Sequence, residues 1–556
     1  MSRKYSRREM LSRTGAALAG GLAAPFCFAQ SAAPSPWKHG AVVGENEGMR
    51  VGLKVLADGG NAVDAVVAAA LAACIAVPAR TGIGGYGGHM IIALAGGKKI
   101  TAIDFNTVAP AAARPDMFPL DEKGGVKGRI NFYGWKAAGV PGVLGGMQLA
   151  LGRYGTRSFR QLVQPAIQLA EDGFVINKVF ANTLRGAAGR FAADPGSAKL
   201  YLKDGQILKE GDVLRNPDLA KVLSTLAERN SVDSFYRGDI AQRIAAAFQK
   251  NGGLVTAKDL SAYRAREIAP LQLPLKNFTV LTAPLTAGGL TVLQALSVLN
   301  ALSSDKFEPG PAAHAQLEAV RLAWKDRLEL FGDPEQVKVP EVLSADYTRQ
   351  LAEKVRTAVT EKKPINTGVP KHTDEGTVNL CAVDRQGNLV AVTLTHGGGF
   401  GAQVTVDGLG LTLGHGMSRF DPHPNHPNAP GPGKRPLHNM CPTIVLRDGA
   451  PVLAVGCAGG VRIPNSILWM LTQYLMHGAS MDKAAAAPRM QCTGTLDVGL
   501  EPEWSKEDAQ YLESIGFKVQ TGESPAVLSA ASFNPGNGEC RGAIRGPAVL
   551  GLLPPN

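Results

Sequence analysis

The chain has 556 residues, is 45% hydrophobic and 6% aromatic, and carries 66 glycines and 36 prolines. This fits a globular chain of two or more domains with a core of small side chains and many tight turns, and no internal repeat or low-complexity block is present. The formal charge of +11 includes +4 from Arg3, Lys4, Arg7, Arg8 and Arg13 against Glu9, and the remaining +7 is spread out. It reads as solubility and a mild attraction for acidic substrates, not as a nucleic-acid footprint.

Residues 1–29 read as an export leader. Ser6-Arg7-Arg8-Glu9-Met10-Leu11 has the form of a twin-arginine motif, an Ala/Gly-rich apolar run follows at 14–24, and Phe26-Cys27-Phe28-Ala29 offers a cleavage site before Gln30. No later stretch is long and apolar enough to span a bilayer. The expectation is a periplasmic or secreted protein without stable membrane insertion. Of seven cysteines, Cys27 leaves with the leader, and Cys74, Cys381, Cys441, Cys457, Cys492 and Cys540 form no CxxC pair. Several sit in apolar strand contexts and behave there as small hydrophobes, with disulfides not required.

Residues 45–77 read as two helices, the first stopped at Gly59-Gly60 and the second capped by Asn61. A hairpin is expected over 91–105, turning at Gly96-Gly97. Helical patterns dominate 142–250, and Thr256 with Asp259 has the spacing of a capping box. A strand near 278–282, a helix near 289–302 and a helix near 314–330 follow. Residues 357–376 are polar, with Pro364, Gly368 and Pro370, and read as an exposed linker. From Thr377 onward the chain is strand-rich, with a helix near 464–475. Strand stretches with flanking helices predict stacked sheets covered by helices, an α+β arrangement. The Pro/Gly/His-rich loop 421–436 has His415, His423, His426 and His438 in or near it. Their spacing matches no standard metal-ligand motif, so no metal site is expected and the loop reads as a stiff cover.

One hairpin carries the chemistry. Thr377 opens a strand after Gly376, Gln386-Gly387-Asn388 makes the turn, and Thr395 closes the returning strand. Antiparallel pairing brings the two threonine hydroxyls side by side. A threonine becomes a nucleophile when the peptide bond before it is cut, because its freed amine then acts as the base. Gly376 removes bulk beside the carbonyl to be attacked.

This segment resembles the γ-glutamyltransferase family of N-terminal-nucleophile hydrolases. So do Arg435-Pro436-Leu437, Met440 and Pro442-Thr443-Ile444-Val445, and the Gly456-Cys457-Ala458-Gly459-Gly460-Val461-Arg462 loop. Upstream, Gly59-Gly60-Asn61-Ala62-Val63-Asp64-Ala65, Ile103-Asp104-Phe105, Val140-Pro141-Gly142, Asn251-Gly252-Gly253-Leu254 and Gly332-Asp333-Pro334 are similar to it in the same order. The resemblance implies a four-layer αββα sandwich built from two autoprocessed subunits. These are a large one, residues 30–376, and a small one, residues 377–556, which pair as a heterodimer. It also implies that the Thr377 hydroxyl first attacks the Gly376 carbonyl, and that water opens the resulting ester. The new α-amine, with an ordinary pKa of about 7.7–8.0, then activates Thr377 against a small-molecule amide. Thr395 orients Thr377, and the N–H groups of Gly459 and Gly460 hold the oxyanion. This chemistry calls for no metal or organic cofactor.

The head-group ligands depart from the family pattern. Where the family has an Arg after Ile-Asp-Phe, this chain has Asn106. Gly397 replaces an Asn, Gly416 and Arg419 replace a Gln and an Asp ahead of Phe420, and His438-Asn439 replaces a Ser pair. An Asp-to-Arg change exchanges a partner for ammonium for a partner for carboxylate. The expected substrate is an amide of an acidic acyl group lacking an α-amino group. Its candidate contacts are Arg419, His438, Asn439 and Asn106. Two other readings compete: a true γ-glutamyl hydrolase or transferase with an altered pocket, and an uncleaved, non-catalytic relative that binds a small solute.

Overall fold

The computed structural model describes residues 38–369 and 376–546. The leader and the last part of the expected linker lie outside the described residues. The linker itself is shorter than expected, because the helix Ala345–Glu361 runs into it and ends at Lys362, which adopts a left-handed cap at φ +52°.

Two six-stranded sheets form the centre. Their strands, in chain order, are β1 (Gly40–Gly44), β2 (Gly87–Ala93), β3 (Ile100–Asp104), β4 (Arg266–Ile268), β5 (Leu271–Leu275), β6 (Phe278–Thr282), β7 (Val378–Asp384), β8 (Leu389–Thr395), β9 (Thr443–Arg447), β10 (Ala450–Ala458), β11 (Val527–Asn534) and β12 (Glu539–Arg545). The first sheet has the order β1-β7-β8-β2-β3-β4 and the second β12-β11-β10-β9-β6-β5. All neighbours run antiparallel.

Side-chain alternation explains the layering. On β7, Leu380 and Ala382 join the core beneath the helices, while Cys381 and Val383 face the second sheet. On β8, Val390, Val392 and Leu394 point to the helices, and Leu389 and Ala391 to the other sheet. Both faces are therefore covered, which is why these strands read as nearly continuous apolar runs rather than alternating ones. Helices Asn46–Ala57 and Ala62–Ala76 cover the first sheet. Helices Gly289–Ala301 and Ile463–Leu471 cover the second, backed by Pro309–Leu330. The result is the four-layer αββα sandwich.

Local signals match the elements that form. Asn61 and Asp64 close a capping box on the helix Ala62–Ala76, and Thr256 with Asp259 closes another on Ala257–Ala262. Asp384 ties the β7–β8 turn by accepting from the backbone N–H of Gln386 and Asn388, each at 3.0 Å, and it also caps the helix Ala62–Ala76 through the Ala62 N–H at 2.9 Å. The six cysteines after the leader are all free and buried. Burial pushes the Cys381 and Cys74 thiols up to about 12, so they are packing groups, not nucleophiles.

Candidate active site

The β7–β8 register pairs Val378 with Leu394, and one step further the same register sets Thr377 opposite Thr395. Strand parity turns both side chains toward the second sheet, together with Asn379 and Thr393, whose side chains meet at 2.8 Å. The Thr377 hydroxyl donates to Thr395 Oγ1 at 3.4 Å. Thr395 in turn accepts the Gly397 N–H at 2.7 Å and donates to the Arg80 carbonyl at 3.4 Å. One donor and two acceptor positions are thus all used, so the Thr395 hydroxyl is held in one orientation.

The backbone here is strained. Gly376 sits at φ +107° and Thr377 at φ +100°. A Cβ on Gly376 would lie 1.7 Å from the Gly397 carbonyl oxygen, so only glycine fits. A β-branched residue at positive φ is an outlier that costs about 1–3 kcal/mol. That strain vanishes if the 376–377 bond is cut, because an N-terminal residue no longer has a fixed φ.

Thr377 shares a small hollow with Glu45, Arg80 and Ala458. Ala458 ends β10, and the chain then turns through Gly459 at φ +143° and Gly460 at φ +61° into the helix Ile463–Leu471. A Cβ on Gly459 would come within 2.8 Å of Ala526. The N–H groups of Gly459 and Gly460 meet no acceptor among the described residues. Two successive free N–H groups leading into a helix N-terminus form a ready cradle for negative charge.

Two cavities share a wall at Arg129 and Phe132. The larger, about 550 Å³, is lined by Arg327, Arg419, Asn439 and Val461, the last adjoining Gly460. The other, about 480 Å³, is lined by Gly398, Tyr133, Arg190 and His415. Arg129, Arg327 and Arg419 border the larger cavity together with Asp121 and Asp421. Burial, and then the nearby Arg419, bring the Arg327 guanidinium down to about 9. Burial with Arg419 also lowers His415 to about 3, so its ring is neutral; it accepts the Gly398 N–H and pairs with Ser418. Beneath the site lies a buried ionic knot. Burial alone would raise the Asp104 carboxyl, but Arg435, His89 and Arg266 outweigh it and hold it at about 2.

The gamma-glutamyltranspeptidase family profile matches residues 48–543. The chain belongs to that family. It is therefore an enzyme of the N-terminal threonine hydrolase and acyltransferase type. Among relatives, the glutathione hydrolase proenzyme of Escherichia coli (strain K12) is 36% identical over 515 residues, covering 89% of this chain and 88% of its own. The acylase ACY 1 proenzyme of Pseudomonas sp. (strain SE83) is 33% identical over 495 residues, covering 87% and 88%. The cephalosporin acylase from Bacillus halodurans superposes with a TM-score of 0.81 at 26% identity, over 93% of this chain and 97% of that one. The gamma-glutamyltranspeptidase of Helicobacter pylori gives 0.52 at 34% identity, over 57% of this chain and 93% of that chain.

The residues singled out from the sequence fare differently. Thr377, Thr395 and Gly376 come together, with the Gly459-Gly460 loop following from the same hollow. Arg419 and Asn439 line the larger cavity. Asn106 does not act as expected of a substrate contact: it is fully buried, and its amide donates to Thr286 at 2.8 Å and to the Pro436 carbonyl at 2.7 Å. In place of a cationic ligand, the chain has a brace between β3 and the 436–439 segment. His438 is buried against His89, with ring centroids 4.8 Å apart, and lies behind the residues that line the cavity. The four histidines of the loop region go to separate partners: His423 to Asp421, His426 to the Leu328 carbonyl, His415 to Ser418 and His438 to His89.

Sequence reasoning passed over Arg327 and Arg80. Arg327 lies one turn after Trp324 on the helix Pro309–Leu330, and both are buried. A basic residue at core spacing was the available signal. Arg80 contributes a carbonyl to Thr395, which no side-chain pattern announces.

Proposed function

We propose that the chain is an autoprocessed amidohydrolase or acyltransferase that works through an acyl-Thr377 intermediate on amides of acidic acyl groups lacking an α-amino group. The observation that carries the first half is the strained Gly376–Thr377 step set opposite Thr395. The printed names of the relatives, proenzymes of a glutathione hydrolase and of an acylase, agree with a chain that matures by cleavage.

The Thr377 hydroxyl adds to the Gly376 carbonyl, the C–N bond breaks, and the Thr377 nitrogen takes a proton as the acyl group passes to oxygen. Water then cleaves the ester, leaving a carboxylate on Gly376 and a free amine on Thr377. In turnover that amine accepts the Thr377 hydroxyl proton while the oxygen attacks the substrate carbonyl. The oxyanion rests on the Gly459 and Gly460 N–H groups. The proton passes to the leaving amine, and water or an acceptor amine releases the acyl group. The large chain would end at Gly376 and the small chain would run from Thr377 to Asn556, the two staying paired. Residues 1–29 would direct export to the periplasm by the twin-arginine route.

The acidic acyl preference is supported by the positive wall of the larger cavity, Arg419 with Arg327, and by the loss of the family's head-group Arg at Asn106. Identity to a glutathione hydrolase favours a second reading, γ-glutamyl transfer or hydrolysis with different contacts. Intact masses of the purified protein, with N-terminal identification, test the cleavage. Rates with γ-glutamyl-, glutaryl- and succinyl-anilides test the acyl group. An uncut chain that stays uncut refutes the mechanism, and faster turnover of the γ-glutamyl compound refutes the preference.

A further inference from the structure

Two N–H groups of the loop after β8 end on side chains rather than on backbone. The Gly397 N–H donates to Thr395 Oγ1 at 2.7 Å, and the Gly398 N–H donates to His415 Nε2 at 2.5 Å. His415 is 2% exposed. Its ring fills the place that a side chain at 397 would take, since a Cβ there would lie 2.2 Å from Nε2. The ring also packs against Phe132, with centroids 5.2 Å apart.

The hydrogen bonds fix the tautomer of this ring. A backbone N–H can only donate, so Nε2 must keep its lone pair. In the neutral ring the proton then sits on Nδ1, which faces the Ser418 hydroxyl. Ser418 can accept that proton because its own is donated to the His415 carbonyl at 2.8 Å. Burial, and then the nearby Arg419, also keep the ring neutral.

The consequence reaches the scissile bond. The Gly397 C=O and the Gly398 N–H belong to one peptide plane, and in a trans peptide they point in opposite directions. With the N–H held by His415, the carbonyl oxygen is turned away from the ring. That oxygen is the atom a Cβ on Gly376 would meet at 1.7 Å. The bond from the Gly397 N–H to Thr395 fixes the preceding plane as well. Gly376 therefore lies against a carbonyl held from both sides, with φ at +107° there and +100° at Thr377. A 397–398 peptide free to rotate would let the carbonyl withdraw, and the 376–377 backbone would relax.

We propose that His415 is a positioning residue for cleavage of the chain, acting through the 397–398 peptide to hold the Gly376–Thr377 step in its strained conformation, with Ser418 selecting its tautomer. This rests on the cleavage reading above and adds to it a residue from outside the two sheets. His415 neither gives nor takes a proton in the step. The hydroxyl proton of Thr377 passes to the Thr377 nitrogen as the acyl group passes to oxygen.

The test is the rate at which the full chain is cut, followed by intact mass, for wild type, His415→Phe and His415→Gln, with circular dichroism to check folding. Phenylalanine keeps a flat ring and removes the acceptor, whereas glutamine keeps an acceptor and loses the ring. His415→Phe should be cut about tenfold or more slowly, as for a partly buried N–H left without its acceptor. His415→Gln should recover most of the rate. Cleavage at the wild-type rate in a folded His415→Phe overturns the inference. Equal slowing in both variants also overturns it, since the ring would then only fill space. If His415→Phe does not fold, Ser418→Ala decides in its place: slower cleavage sustains the inference and the wild-type rate overturns it. A wild-type chain that is never cut removes the cleavage reading and this inference together, whereas a cut wild type with an unaffected His415→Phe removes only the part given to His415.

Discussion

Replacing Gly376 by alanine should stop or strongly slow cleavage of the chain. The added Cβ would sit 1.7 Å from the Gly397 carbonyl oxygen, far inside contact distance, and the residue would have to hold φ at +107°. Gly397 has little room to yield, since it is itself at φ +99° and a Cβ there would strike His415 at 2.2 Å. The 376 backbone must therefore move, and it takes Thr377 out of line with Thr395. The left-handed conformation alone costs an L residue about 1–3 kcal/mol. At about 1.4 kcal/mol per decade, that is roughly a tenfold to hundredfold slowing before the clash is counted. Purified Gly376→Ala would be incubated and sampled by intact mass, beside wild type and Thr377→Ala, with circular dichroism to check folding. Uncut chain accumulating in a folded protein is expected. Cleavage at the wild-type rate would refute the strain argument, since it would mean that the bond is cut from a conformation other than the one described here.

Thr395→Val keeps the shape but removes the acceptor of both the Thr377 hydroxyl and the Gly397 N–H. Leaving that buried N–H unsatisfied costs about 1–3 kcal/mol, so turnover should fall about tenfold to hundredfold, and unchanged kcat would remove Thr395 from the site. Asp104→Asn should be destabilising by about 3–5 kcal/mol in urea titration, because Arg435 and Arg266 lose their shared counter-charge; a loss under about 1 kcal/mol would contradict the buried knot. Acid should also destabilise the protein. Burial lowers His89 to about 4, against opposition from Asp104, and lowers His396 and His415 to about 3. These folded values lie below the ordinary value near 6.5, so the unfolded chain binds more protons in between. Their contribution is complete above about pH 6.5 and is lost as pH falls toward about 3–4, so Tm should drop steeply from pH 7 to pH 5; a flat profile would mean that these rings are solvated.

The pairing of Thr377 with Thr395 was legible in the sequence because the two residues sit at the ends of adjacent core strands. A two-residue period, a Gly-Asn turn and threonines at matching ends are enough to pair Thr377 with Thr395. The caps at Asn61 and Thr256 were legible for the same reason, being local in sequence. The edges were not. β1 is five residues of small and branched side chains, and its place beside β7 is set by contacts more than 300 residues away. Asn106 misled because its position relative to Ile103-Asp104-Phe105 is visible in the sequence, whereas its partners, Thr286 and the Pro436 carbonyl, come from distant segments. Arg327 was hidden in a helix whose pattern reads as core.

This division has a physical basis. Thr377 and Thr395 are fixed by strands covered on both faces, where a one-residue slip would move every side chain to the wrong layer. Little can change there without loss of the fold. Arg419 and Asn439 belong instead to segments outside the two sheets, between Thr412 and Thr443, where no strand register fixes which way a side chain faces. A family can therefore keep its acyl-transfer machinery while exchanging the groups that hold the acyl tail. Arg327 bridges the two regimes: its helix belongs to the core, its Nη2 braces the His438 backbone, and the residue borders the cavity. Variation in the loop then acts against a fixed cation. On the proposed reading, a loop acid near it would cancel the charge and favour a ligand with an ammonium, whereas Arg419 would favour a carboxylate. Arg419→Asp should accordingly shift preference from glutaryl toward γ-glutamyl anilide, read as a ratio of kcat/KM values. An unchanged ratio in a folded, cleaved variant would show that residue 419 does not set the acyl group.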